Sequence, residues 1–288
     1  NTGVELALTW DDTLGKDFKY NISLNGSYNK NEVGNIPTSD GIIHGAGDEL
    51  YNNASEFYRA ENGQPIGYFW GYKTAGIFQN TQEIDEWRAA GNGILQSNVQ
   101  PGDVRFVDRN HDGQINDKDK VNLGNGTPDF TLGLNLGFVY KGFDFSIVAN
   151  GAFGQQIVQS YRNHTRPTPN YTTAILDRWH GEGTSNRIPR VTDSNINYQF
   201  SDLFIQNGDY LRLSTLTLGY DFAKLFKGKA VSQARLYFQV QNLFIITGYD
   251  GMDPEIGFGS SNNSWVSGLD YGYYPRPRTV LVGVNLKF

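Results

Sequence analysis

A two-residue alternation of apolar and polar side chains constrains this chain more than any other feature. It runs through segment after segment and continues to the last residue. In 279–288, Val280, Val282, Val284, Leu286 and Phe288 share one face of a strand, while Thr279, Gly283, Asn285 and Lys287 share the other; Leu281 is the exception. The pattern is clearest in 129–155. Leu132, Leu134, Leu136, Phe138 and Tyr140 oppose Thr131, Gly133, Asn135 and Gly137. After a tight turn at Lys141-Gly142, Phe143, Phe145, Ile147 and Ala149 continue the apolar face, with Asp144, Ser146 and Asn150 opposite. Leu236, Phe238 and Val240 alternate in the same way with Arg235, Tyr237, Gln239 and Gln241. A soluble domain that ends on an uncovered alternating strand exposes an aggregation-prone edge. A membrane barrel turns the apolar face to lipid and pairs its last strand with its first.

Such segments lie at about 2–11, 17–30, 129–141, 142–155, 208–222, 232–246 and 276–288. Short connections near 11–16, 141–142 and 223–231 alternate strictly with long ones at 31–128, 156–207 and 247–275. Outer-membrane barrels sort their connections this way, with short periplasmic turns and long extracellular loops. Seven strands therefore run down and up in turn, placing the first residue outside and the last in the periplasm. Seven cannot close an even-numbered barrel, so further strands are expected from a segment outside this sequence or from another chain. The chain opens mid-pattern at Asn1 without a signal peptide, and the expectation is a fragment of a longer protein.

Composition agrees. Among 288 residues there is no apolar run of 18, which excludes a transmembrane helix but not a barrel. Tyr 17 and Phe 18 suit interfacial girdles, where a ring meets lipid and a polar tip meets water. The absence of Cys removes disulfides, thiolate zinc sites and thiol catalysis. A net charge of -6 argues against a nucleic-acid partner.

One motif in the first long loop carries chemistry. From Asp108 to Asp119, side-chain oxygens stand at loop positions 1, 3 and 5 (Asp108, Asn110, Asp112), with Gly113 at the sharp turn. Gln114 offers a backbone carbonyl, Asn116 stands at position 9, and Asp119 closes the loop. This is the spacing of an EF-hand-type calcium loop. Asp119 is shorter than the usual closing Glu, which leaves room for magnesium as the alternative. Val104 to Val107 before it reads as a short strand, and the expected role is structural. No catalytic residue emerges. There is no Gly-x-Ser-x-Gly elbow, no phosphate-binding loop and no His-Glu-x-x-His. His44, His111, His164 and His180 all fall in loops and read as polar loop residues. Asp11-Asp12 and the pair Asp253 and Glu255 read as solvated carboxylates at turns or loop tips. Trp70, Trp87, Trp179 and Trp265 also fall in loops, where they either pack loops together or stack on sugar rings.

At these residues a family resemblance becomes specific. The run from Gly102 through Asp119, then Leu123-Gly124-Asn125-Gly126-Thr127-Pro128-Asp129-Phe130, resembles SusC-like TonB-dependent transporters of Bacteroidetes. So do Gly67-Tyr68-Phe69-Trp70-Gly71-Tyr72-Lys73-Thr74-Ala75-Gly76-Ile77-Phe78-Gln79, and Val240-Gln241-Asn242-Leu243-Phe244 followed by Asp253-Pro254-Glu255. Pro275-Arg276-Pro277-Arg278 and the opening Asn1-Thr2-Gly3-Val4-Glu5 match as well. The resemblance covers essentially the whole chain. It implies the C-terminal strands of a barrel of about 22 strands, in the outer membrane. It further implies a plug and TonB-binding segment outside this chain, and a SusD-like surface lipoprotein as partner. Oligosaccharides, or in some members oligopeptides, are the implied substrates. The final Gly283, Leu286 and Phe288 fit a barrel-assembly signal, although Leu281 stands where a polar residue is expected. The rival readings are a secreted soluble β-domain that binds or processes glycans with a calcium-stapled loop, and a passive porin or adhesin barrel.

Overall fold

The computed structural model describes residues 1–51, 54–160, 172–226, 231–257 and 264–288. Its frame is one antiparallel sheet of seven long strands that pair in sequence order. They are β1 (Thr2–Leu14), β2 (Phe18–Lys30), β3 (Phe130–Tyr140), β4 (Phe143–Phe153), β5 (Tyr210–Asp221), β6 (Gln233–Thr247) and β7 (Thr279–Lys287). All seven expected strands are present. The first runs further than its sequence pattern suggested, so Asp11 and Asp12 lie within β1, paired with Asn21 and Tyr20, rather than in a turn. The connections alternate as expected: 15–17, 141–142 and 222–232 are short, and 31–129, 154–209 and 248–278 are long. The turn at Lys141 and Gly142 takes φ 49° and 95°. Two consecutive left-handed residues match the twist of a two-residue hairpin.

Register carries the alternation across the whole sheet. Leu8 faces Leu24, Leu24 faces Leu134, and Leu134 faces Ala149. Leu218 faces both Phe145 and Phe238, and Phe238 faces Val282. These side chains form one continuous apolar surface. The sheet has no second layer against it among the described residues, and the surface stays open: Val4 is 71% exposed, Trp10 62% and Val282 72%. The other surface is polar, built from Thr9, Asn21, Ser23, Asn25, Asn135, Asp144, Ser146, Asn150, Thr217, Arg235 and Gln239. Where a strand would slip out of phase, a bulge at Ser214 restores the faces, matched by left-handed Asn242 (φ 51°) on β6. Near the short turns the apolar surface ends in a belt of rings. Phe18 lies against Tyr20, Phe138 and Tyr140, and Phe143 against Tyr220 at 4.5 Å between centroids. Such a belt suits the boundary between hydrocarbon and water. On the polar wall, the Tyr237 ring lies flat over Gly283, and the Asn21 amide over Gly137. A Cβ at either glycine would collide with it, so the missing side chains keep this wall low.

The buried core lies in the long connections rather than in the sheet. Leu50, Tyr51, Phe57, Tyr58 and Phe69 from the first connection pack with Val158 and Phe200 from the second and Val266 and Leu269 from the third. Small sheets brace this layer. One pairs Ile42–His44, Tyr58–Glu61, Tyr68–Gly71 and Val121–Asn122. Another joins Ile205–Asn207 and Gln156–Gln159 of the second connection to Leu269–Asp270 of the third. A helix, Thr81–Ala89, starts at Asn80, whose side chain accepts from the Glu83 N–H.

The two faces respond differently to charge. Leu136→Arg, mid-strand on the apolar face, is expected to destabilise the full-length protein by about 2–4 kcal/mol in lipid vesicles. Asn135→Arg, one residue away on the polar face, is expected to leave it near parental stability. Denaturant unfolding in vesicles measures both, and equal costs would contradict the assignment of faces.

Candidate functional site

The candidate site is the folded layer of long connections at one end of the sheet, together with the polar wall beneath it. Several polar contacts cross between connections. Thr74 donates to Asp202 Oδ1 from its backbone N–H (3.1 Å) and from its hydroxyl (2.7 Å). Tyr271 donates to Glu49 Oε2 (2.6 Å), and the Ile77 N–H donates to Asn186 Oδ1 (2.9 Å).

A polar cleft of about 600 Å³ opens between the first and second connections. Asp103 lies at its base, 1% exposed. Its carboxylate accepts from Arg190 Nε (2.7 Å), Asn197 Nδ2 (2.8 Å) and the Gln100 N–H (2.9 Å). Asn197 Oδ1 accepts in turn from Gln96 Nε2 (3.0 Å) and the Val104 N–H (3.0 Å). Ser97, Asn98, Thr192 and Gln199 complete a lining of amides and hydroxyls. Such a lining bonds neutral polar ligands without demanding a charge.

The tryptophans pack the loops together. Trp70 meets two cations, with the Arg59 guanidinium 3.3 Å and the Lys120 ammonium 4.2 Å from its ring centre. The Trp87 indole donates to Gly93 O (3.1 Å), Trp179 donates to Gln79 Oε1 (3.2 Å), and Trp265 meets Tyr58 edge-on. All four are half-buried.

The loop from Asp108 to Asp119 adopts a compact turn. Gly113 takes φ 80°, a left-handed conformation that its lack of a Cβ allows at no cost. Asp108 and Asp119 are both fully buried. Asp108 Oδ2 accepts from the N–H groups of Gly113 (2.8 Å) and Gly93 (2.9 Å), while its Oδ1 has no hydrogen-bond partner. Asn110 Oδ1 accepts from the Asp112 N–H, Asp112 Oδ1 from the Gln114 N–H, and Asn116 Oδ1 from the Lys118 N–H. Asp119 accepts from the N–H groups of Arg109 (2.8 Å) and Asn116 (2.9 Å). Among the described residues no three carboxylates or imidazoles converge closely enough to hold a metal by themselves. Nearby, burial first and the Asp117 and Asp119 carboxylates second push the Tyr72 hydroxyl up to about 12.

Asp253 and Glu255 differ from their sequence reading as solvated loop-tip acids. Arg212, on the polar wall of β5 and 4% exposed, bonds Asp253 Oδ1 at 2.5 Å and pairs with Glu255 at 3.2 Å. Arg276 takes the other Glu255 oxygen at 2.8 Å. The third connection is thus tied to the sheet by its two carboxylates and the Arg212 guanidinium, while the Arg276 pair lies within the connection itself. The acids are close in sequence, but their arginine lies 41 residues from Asp253 and its strand pattern marks it only as polar.

Of the histidines, His164 lies outside the described residues. His111 is an exposed loop residue, and His180 Nδ1 sits 3.0 Å from Arg178 O. His44 is more than a polar loop residue: it bridges Glu56 (2.9 Å) and Asp40 (3.2 Å). Glu56 and then Asp40 raise its pKa above the usual 6.5, and His44 first among several bonds holds Asp40 below 3.8.

Comparison with known proteins accounts for this arrangement. No protein-family model matches the chain. Over its whole length it is 31% identical to TonB-dependent receptor P3 of Formosa agariphila and 28% identical to TonB-dependent receptor SusC of Bacteroides thetaiotaomicron. The chain is a homologue, over its whole length, of TonB-dependent receptors that include SusC. It spans 28% of the length of the first relative and 26% of the second. The solved structure of the RagAB peptide transporter shares the fold, with a TM-score of 0.71 at 20% identity, over 99% of this chain and 29% of that one. A second RagAB structure, in the closed-closed state, matches with a TM-score of 0.70 at the same identity.

In a SusC-like receptor the sheet is part of an outer-membrane β-barrel. The open apolar face is its lipid surface and the polar wall its lumen. The short turns are periplasmic and the folded layer is extracellular.

Two of these contacts yield tests. Arg212→Ala leaves two largely buried carboxylates with one cation fewer, and is expected to loosen residues 248–257 by on the order of 3–5 kcal/mol. Arg212→Lys is expected to rescue it only in part, because an ammonium cannot fork between two acids. Hydrogen exchange of that segment measures both. The His44 contribution follows from its raised pKa: it is fully present below about 6.5, the unfolded value, and is lost as pH rises through the higher folded value. The Asp40 contribution is present above about 3.8 and fades as pH falls through its lower folded value. Hydrogen-exchange protection of 40–56 is therefore expected to be greater at pH 6 than at pH 9, and His44→Asn is expected to abolish the difference.

Proposed function

We propose that this chain supplies barrel strands and the extracellular loop layer of a nutrient importer. The importer takes up oligosaccharides, or alternatively oligopeptides, together with a SusD-like surface lipoprotein. Energy comes from TonB through the plug-bearing part of the polypeptide, and no covalent chemistry falls to this chain. The main support is the way three long connections fold into one layer directly above a polar barrel wall. Substrate delivered from outside meets this layer first, and its amide-and-hydroxyl cleft can bond sugar hydroxyls or peptide groups. The relatives support import as the general activity of the family, and the structurally similar RagAB is a peptide transporter.

The secreted-domain reading fares worse. It requires the alternating apolar face to be a core, and among the described residues nothing covers that face. The porin reading fails if uptake depends on energy. The test is to purify the full-length protein from the outer membrane, identify what accompanies it by mass spectrometry, and measure uptake in cells with and without TonB. Co-purification of a surface lipoprotein with bound oligosaccharide or peptide, and loss of uptake without TonB, is the expected result. A detergent-free monomer in the soluble fraction would contradict the proposal, as would uptake that persists without TonB.

A further inference from the structure

The Asp108 carboxylate presents an imbalance that the protein's own groups do not resolve. The residue is fully buried, and one of its oxygens already accepts two backbone N–H groups. The other oxygen is buried with no donor in reach. A buried carboxylate oxygen without a donor or a cation is costly. Among the described residues the loop's ion pair joins Lys120 to Asp117 at 2.9 Å, so neither amine nor guanidinium is paired with Asp108, Asp112 or Asp119. The orphaned oxygen belongs to position 1 of the loop. Its partner oxygen lies against the Gly113 N–H at position 6, so the carboxylate sits inside the turn.

We infer that this loop is a calcium site, with Asp108, Asn110, Asp112, Asn116 and Asp119 as side-chain ligands and Gln114 contributing its carbonyl. The donors are all hard oxygens, three of them charged, as calcium prefers. The amides and the carbonyl are part of the set, so carboxylates alone do not converge. Asp119 spends its oxygens on the Arg109 and Asn116 N–H groups, which makes it the ligand that must turn inward as the loop closes on the ion.

The site also has a mechanical consequence. Asp108 holds the Gly93 N–H, and Gly93 O holds the Trp87 indole at the end of the helix. Three residues on, Gln96 donates to Val104 O (2.7 Å) and to Asn197 in the floor of the cleft. An ion at Asp108 therefore pins the segment that forms one wall of the cleft. This holds whether or not the importer reading is correct, since ion binding is measured without transport.

The test uses full-length protein in detergent, stripped with a chelator and titrated by calorimetry with Ca²⁺, with Mg²⁺, and with Tb³⁺ excited through tryptophan. Asp108→Asn keeps the hydrogen-bonding shape but removes the charge. Asp112→Asn alters an exposed residue, so folding is not at issue. One saturable calcium site is expected, with Tb³⁺ emission sensitised by nearby Trp87 and at least about tenfold weaker binding in each variant. Hydrogen exchange across 93–107 is expected to slow on calcium addition in the parent alone. Unchanged affinity in both variants would overturn the assignment, as would preference for Mg²⁺ at equal concentration or the absence of saturable binding.

Discussion

Backbone hydrogen bonding inside a bilayer is the constraint on which the rest of this structure depends. Lipid offers no partner for an N–H or C=O group, so each spanning segment must satisfy its groups against a neighbouring strand. The meander does this with seven strands that pair in order and in register. Side-chain period then follows from backbone geometry: one face meets hydrocarbon and the other the lumen. The bulge at Ser214 and left-handed Asn242 show how strictly this holds, because they keep Leu211 and Leu213 on the same face as Leu216 and Leu218.

The same constraint determines where a hydrophobic core can form. Within the sheet, apolar side chains point to lipid, so they cannot pack against one another across a protein interior. The long connections face water instead, and they bury their own apolar groups. Phe57, Tyr58, Phe69, Val158 and Val266 come from three separate connections and are each fully buried. Polar ties then join this layer to the barrel. Arg212 is one of them: it stands on a lumen-facing strand and binds the acids of the third connection.

Much of the barrel was legible in the sequence, because period 2 is a local property. All seven strands, the parity of the connections and the turn at Lys141-Gly142 could be read from neighbouring residues. The end of β1 was harder, since Asp11 and Asp12 look like turn residues until Asn21 and Tyr20 are seen to pair with them. The spacing of the proposed ion loop was legible because its oxygens lie within twelve consecutive residues. The orphaned Asp108 oxygen was not, because its burial depends on the segment around Gly93.

The sequence by itself determined the alternation, the sorting of short and long connections and the family, since each rests on short-range pattern. Only the tertiary structure decided what the long connections do with their polar and aromatic residues. Trp70 is contacted by Arg59 and Lys120, Asp253 and Glu255 are held by Arg212, and Asp103 is bonded by Arg190 and Asn197. Most of these partners are tens of residues apart. No local periodicity announces such pairs; they form because three loops share one end of a barrel and must bury their apolar surface together.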